Sequence, residues 1–155
     1  MKNSIQLSMF GVTEVMLTYK SKIRPSDRTK ITCSRDALDS FKENWNHDTL
    51  EYFEEFKVLL LNRSNAVLGL IPISRGGVSG TVTDVRIVLQ SAILTNASGL
   101  IVCHNHPSGN LNPSESDTKI TKKIKEAGNI MDIQLLDHLI ITNEDYYSFA
   151  DQGPL

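Results

Sequence analysis

His104 and His106 stand two residues apart, directly after the apolar run Leu100-Ile101-Val102-Cys103. If that run is a strand, side chains two apart point the same way, so both imidazoles reach one side of its end. Two imidazoles so placed can grip one metal ion. Pro107 and Gly109 then turn the chain out of the sheet. Ten residues separate His106 from Asp117, and Ser114 with Asp117 has the S-x-x-D spacing of a capping box. Asp117 therefore sits in the first turn of a helix, where negative charge is favoured. The intervening loop is long enough to fold that helix end back over the strand end. His, His and Asp around one point leave a fourth position for water, the pattern of a catalytic zinc site rather than a closed structural one. Zinc lowers the pKa of bound water to about 7 and polarises a carbonyl. Each part alone is weaker: a His pair at a strand end is commonly structural, and Ser114 or Asp117 alone is commonly a cap. The combination carries the metal reading.

Other residues with chemical capacity read more plainly. His138, after Asp137, is expected to be a satisfied, partly buried histidine, with a supporting contact to the metal site as the alternative. His47 lies in a polar loop as a bystander. Cys103 has the wrong parity to join the two histidines and is expected to be a small buried residue. Arg75-Gly76-Gly77-Val78-Ser79-Gly80 lacks the Walker spacing and any GxGxxG, so it reads as a tight loop; Ser79 could contact substrate there. Lys119, Lys122, Lys123 and Lys125 form a face open to an acidic partner or nucleic acid, though a charge run is usually a solvated face.

The elements that must position these groups can be read from pattern. Ile5, Leu7 and Met9, and then Val15, Leu17 and Tyr19, alternate as half-buried strands. Lys20–Lys30 carries five cations against one acid and reads as a linker arm. Ser34 caps a helix bearing Leu38, Phe41 and Trp45. Phe56–Asn62 is a strand buried on both faces, joined by a turn at Asn62–Asn65 to a second strand, Ala66–Ile73. Asp84 caps a helix through Leu94, with Val85, Val88, Leu89, Ala92 and Ile93 inward. Ser114–Ala127 is a further helix closed by Gly128 at C′. Ile133–Thr142 and Tyr146–Phe149 finish as strands. Mixed strands and helices predict an α/β class with a central sheet.

At 155 residues the chain is expected to be one domain with a real core. Hydrophobic residues are 40% and charged residues 22%, which excludes a disordered chain. A formal net charge of -2 argues against a dedicated polyanion binder. There is no membrane-length apolar run and no signal-peptide pattern. Two cysteines without CxxC spacing give no disulfide framework, so a reduced, cytoplasmic setting is expected.

The segment His104–Asp117, HNHPSGNLNPSESD, resembles the JAMM (MPN+, JAB1-type) metalloprotease motif, a distal Glu followed by H-x-H-x10-D. LLDHLIIT at Leu135–Thr142, YYSFAD at Tyr146–Asp151 and SRGGVSGTVTDVRIVLQSAI at Ser74–Ile93 are similar to the bacterial RadC family, over about Ser34 to Gly153. The resemblance divides the chain into residues 1–31, N-terminal strands and a basic arm, and residues 32–155, a RadC-like JAMM domain. It implies a three-layer α/β/α, cytidine-deaminase-like fold with a mixed central sheet. It further implies His104, His106 and Asp117 as zinc ligands, Ser114 as a hydrogen-bond donor to the oxyanion, and a distal Glu as general base. That Glu precedes the strand matching FKVLLLN. The RadC pattern points to Glu54, and some JAMM proteins point to the position of Glu55. Neighbours on a strand face opposite sides, so only one of the two reaches the site.

The resemblance thus implies a zinc-dependent hydrolase of amide, peptide or isopeptide bonds acting on a peptide or protein. The alternative is a DNA-repair-associated role, as a nuclease or a non-catalytic module at DNA. His104-Asn105-His106 is not an HNH nuclease motif, whose letters are spread over a ββα unit, and the H-x-E and P-C-x-x-C of zinc deaminases are absent. RadC proteins often carry a helix-hairpin-helix module ahead of this domain, and this chain is expected to be the short, stand-alone form.

Overall fold

The computed structural model describes residues 11–13, 15–77, 80–153 and 155. The largely apolar run after Glu54, interrupted by Lys57, forms β1 (Glu55–Leu61), every residue of it buried. A turn with Asn65 at positive φ leads to β2 (Val67–Arg75). Then follow α2 (Val85–Leu94), β3 (Gly99–Asn105), α3 (Glu115–Ile130), β4 (Gln134–Ile141), β5 (Tyr146–Ser148) and the short α4 (Phe149–Gln152), with α1 (Ser34–Glu43) ahead of the sheet. The five strands lie in the order β2-β1-β3-β4-β5. The β3–β4 pair is parallel and the others are antiparallel, so the sheet is mixed.

Period-two alternation divides the core between the two faces of this sheet. Leu59, Leu61, Ile101, Cys103, Leu139 and Ile141 pack under α1 with Leu38, Phe41 and Trp45. Val58, Leu60, Leu100 and Val102 pack under α2 and α3 with Val88, Ala92 and Ile124. The result is the expected α/β/α layering. No helix among the described residues is long and apolar enough to cross a membrane.

Several local expectations are corrected. Val15 and Leu17 are 81% and 77% exposed, and Val15, Leu17 and Tyr19 lie in no strand. Alternation makes a strand only where a layer covers one face, and here the sheet edge is met further on, by the Lys30–Ala66 bridge. The expected strand at Ile5–Met9 lies outside the described residues, as does Ser79. Ser34 is the first residue of α1 rather than its cap; its hydroxyl bonds Asp151 and Tyr146 instead. Ile93 is turned outward on α2, while nearby Ser91 is buried and Leu89 is half-buried. β5 stops at Ser148, where the Ser148 hydroxyl accepts from the backbone of Asp151 and starts α4. Gly128 does not end α3. It is buried in the last turn, and a side chain there would press into the carbonyl oxygen of Ile133. The residue is small because the chain returning to β4 passes directly over it.

Candidate metal centre

β1 and β3 pair antiparallel with Phe56 opposite His104. That register places Glu54, Phe56, His104 and His106 on the face toward α3, at the end of the sheet where β3 stops. Asp84 accepts from the backbone of Arg86 and starts α2, as expected. Ser114 starts α3 with a complete capping box: its hydroxyl accepts from Asp117 N–H, and Asp117 accepts from Ser114 N–H at 2.7 Å. The box fixes the Asp117 carboxylate at the helix N-terminus and over the strand end.

His104 Nε2 lies 2.9 Å from His106 Nε2 and 3.1 Å from Asp117 Oδ1, and His106 Nε2 lies 3.4 Å from Asp117 Oδ2. These spacings bracket the distance between two corners of a tetrahedron with zinc–ligand bonds of 2.0–2.1 Å, about 3.3 Å. The donor set also fits a cation on chemical grounds. His106 Nδ1 is 2.5 Å from the carbonyl of Asn110, which can only accept, so the neutral ring keeps its proton there and turns a bare Nε2 toward His104. A bare nitrogen facing a second nitrogen and a carboxylate needs a proton or a metal ion between them.

The electrostatics follow from the same crowding. Burial opposes ionisation of Asp117, but the adjoining imidazoles of His104 and His106 and the hydrogen bonding with Ser114 overcome it and hold the carboxyl far below the usual range. Burial likewise opposes charge on His106, and the carboxylate of Asp117 with the carbonyl of Asn110 outweighs it, so His106 titrates above the ordinary imidazole value. Burial raises the Glu54 carboxyl, against the pull of His104 and His106.

These groups line one cleft of about 640 Å³, walled by Thr81–Thr83, Pro107, Asn110 and the Lys119–Lys123 side of α3. Glu54 lines it and Glu55 does not. Glu55 is buried on the other face, where it accepts from Thr49 and pairs with Lys57 at 3.4 Å. Parity separates the two as expected. Ser114 is at the rim, and a hydroxyl that accepts one bond at the cap still has its own proton to donate. Cys103 is on the α1 face with its thiol raised by burial, away from the histidines. His47 is exposed in a short helical turn. Lys119 pairs with Glu115 and Lys122 with Glu126, so part of the lysine face is neutralised in place.

One contributor to the site escapes a reading by motif, and another is read there only as an alternative. Asn105, between the two histidines, is completely buried on the opposite face. Its amide donates to the carbonyls of Leu50 and Phe53 at 2.7 and 2.9 Å and accepts from Glu55 N–H at 2.7 Å. It therefore holds the segment that carries Glu54. His138 is completely buried rather than partly so, and it makes the contact weighed as the alternative, with Nε2 2.8 Å from His104 Nδ1. Burial drives its pKa well below the ordinary value, which keeps the ring neutral. A polar side chain in a strand between two histidines was the available signal for Asn105; its partners lie some fifty residues away in sequence.

A family model described as "RadC-like JAB domain" matches residues 31–154. A "UPF0758 protein" from Flavobacterium johnsoniae is 58% identical over 124 residues, covering 80% of this chain and 53% of that protein. Another from Porphyromonas gingivalis is 46% identical, covering 66% of this chain and 45% of that protein. A third, from Clostridium beijerinckii, is 34% identical and covers 94% and 62%. The chain spans about half the length of the curated relatives it matches.

Proposed function

The chain belongs to the RadC-like JAB domain family, and on that premise we propose that it is a zinc-dependent hydrolase of amide, peptide or isopeptide bonds in a peptide or protein substrate. His104, His106 and Asp117 would hold the metal. The observation that carries the reading is the convergence of these three ligand atoms, all within 4.8 Å of one another, in the same cleft as the raised carboxyl of Glu54. A zinc ion there supplies Lewis acidity, which acidifies water and polarises a carbonyl. The chain's own residues do the rest. Glu54 takes a proton from the attacking water and delivers it to the leaving nitrogen as the C–N bond breaks and the C–O bond forms. Its raised pKa brings it nearer to neutral pH, where a group serves well as base and then acid. The Ser114 hydroxyl donates to the oxygen on which negative charge develops. Asn105 keeps Glu54 at the cleft wall. A reduced, cytoplasmic setting, in which Cys33 and Cys103 are both free, belongs to the same proposal.

Lys119 and Lys123 on the cleft wall favour a second reading, a role at DNA. The two separate in one experiment. Purified protein is assayed for metal content and against peptide, isopeptide and DNA substrates, with His104→Ala, Asp117→Ala, Glu54→Gln and Glu55→Gln. We expect about one zinc per chain, lost in the first two variants. Glu54→Gln should keep the metal and lose roughly 10²–10⁴-fold in amide hydrolysis, while Glu55→Gln keeps its activity. A wild-type protein without metal, or DNA cleavage that survives Glu54→Gln and chelation, refutes the proposal.

A further inference from the structure

His138 is completely buried, and the hydrolytic chemistry above makes no use of it. It sits on β4 beside Val102 of β3. Its ring is clamped, stacked on Phe149 at 4.8 Å and set edgewise to Phe56 at 5.7 Å. Phe56 in turn stacks on His104. Neither ring nitrogen of His138 is idle. Nε2 is 2.8 Å from His104 Nδ1, and Nδ1 is 2.6 Å from Thr121 Oγ1. The Thr121 hydroxyl donates to the backbone carbonyl of Asp117 at 2.6 Å.

The direction of these bonds follows from the one partner that cannot donate. The Asp117 carbonyl takes the Thr121 proton, so Thr121 Oγ1 must receive the bond from His138, whose proton is therefore on Nδ1. A neutral imidazole has one N–H, so His138 Nε2 is bare and accepts from His104 Nδ1–H. His104 is then left with its lone pair on Nε2, the atom that faces His106 and Asp117. The bonds run one way from the ring of one candidate ligand to the backbone of another, through side chains of β4 and α3.

We infer that His138, acting through Thr121, is a positioning residue that locks His104 in the metal-binding tautomer and ties its ring to the residue that supplies the carboxylate. The inference rests on the reading of His104, His106 and Asp117 as metal ligands. Removing the acceptor that orients a histidine ligand costs about 10–100-fold in metal affinity.

The test uses the full chain, with zinc affinity from competition with a chromophoric chelator and the cobalt(II) absorption spectrum as a second readout. Thermal unfolding without metal checks that each variant folds. His138→Phe fills the space and removes the acceptor, and it should weaken zinc binding about 10–100-fold and change the cobalt spectrum. His138→Gln places an amide oxygen near the position of Nε2 and should recover part of that loss. Thr121→Val should fall between wild type and His138→Phe. A folded His138→Phe with wild-type affinity overturns the inference, and so does His138→Gln losing as much as His138→Phe. If His138→Phe does not fold, nitrogen-15 spectra of the wild-type imidazoles decide. A proton on Nδ1 of His138 supports the chain of bonds, and a proton on Nε2 overturns it. Failure of the wild type to bind zinc sinks the metal site itself, which is a different outcome from wild-type binding that His138→Phe leaves untouched.

Discussion

Asn105→Ala is expected to unfold more easily while still binding metal. The side chain makes three short hydrogen bonds, two donated to the carbonyls of Leu50 and Phe53 and one accepted from Glu55 N–H. All three tie β3 to the segment entering β1, in a place where water does not reach Asn105. At about 1 kcal/mol for each bond lost, the cost is about 3 kcal/mol. For a domain of this size that corresponds to a fall in Tm of about 6–12 °C. Urea unfolding followed by circular dichroism gives the free energy. Zinc affinity should change less than about fivefold, because Asn105 faces away from His104 and His106. Hydrolysis should fall by more than about tenfold, since the segment carrying Glu54 loses its tie and a small misplacement of a reacting group is costly. Asn105→Asp sharpens the test. It keeps the acceptor for Glu55 N–H but turns acceptor oxygens toward two carbonyls and buries a charge, so it should be less stable than Asn105→Ala. An alanine variant within about 1 kcal/mol of wild type, or an aspartate variant as stable as the alanine one, refutes the reasoning.

Zinc binding should weaken as pH falls. The metal must displace the proton of His106, whose pKa lies above the ordinary imidazole value because Asp117 and Asn110 outweigh its burial. The decline therefore begins above about pH 6.5 and approaches about tenfold per pH unit below that pKa. Titration calorimetry between about pH 8 and about pH 5.5 checks it, and a flat profile contradicts it. Gly128→Ala places a methyl group against the Ile133 carbonyl at the close of α3. It should destabilise by about 1–3 kcal/mol in urea unfolding, although alanine is the better helix former. A neutral or stabilising effect would show that the chain returning to β4 gives way.

The parts of the fold that were legible in the sequence are those that local periodicity controls. The nearly continuous apolar run of β1 required cover on both faces, and it has α1 on one and α2 and α3 on the other. The S-x-x-D box fixed the start of α3 to the residue. Parity alone put Cys103 on the other side of the sheet from the two histidines, and it separated Glu54 from Glu55. Parity could not say which of the two glutamates faced the cleft. That choice depends on the β1–β3 register, a contact between segments some fifty residues apart. For the same reason the work of Asn105 was out of reach, and the link from His138 to the metal site could be read only as the alternative to a structural role: each is made by side chains meeting across strands. Gly128 misled because the usual cause of a glycine near a helix end is backbone conformation, whereas here it is a neighbouring carbonyl. Val15, Leu17 and Tyr19 misled because alternation records a capacity to form a strand, and among the described residues they pair with no strand.

The three consecutive residues His104, Asn105 and His106 make the site modular. Two point into the cleft and the one between them fastens the segment of Glu54, so two imidazoles and the Glu54 carboxyl are built into a single inextensible piece of sheet. Asp117 and Ser114 come separately, on a helix joined to that piece by a loop. Selection for a wider or narrower substrate can therefore work on the part of that loop beyond Asn110, whose carbonyl holds His106, and on the stretch from Thr81 to Thr83, without detuning Glu54 against the two histidines. Of the ten residues between His106 and Asp117, Pro107 to Asn110 belong with the strand end and Leu111 to Pro113 are the tether to the helix cap. For anyone redesigning the cleft, that short tether is the part to lengthen and the strand end is the part to leave alone.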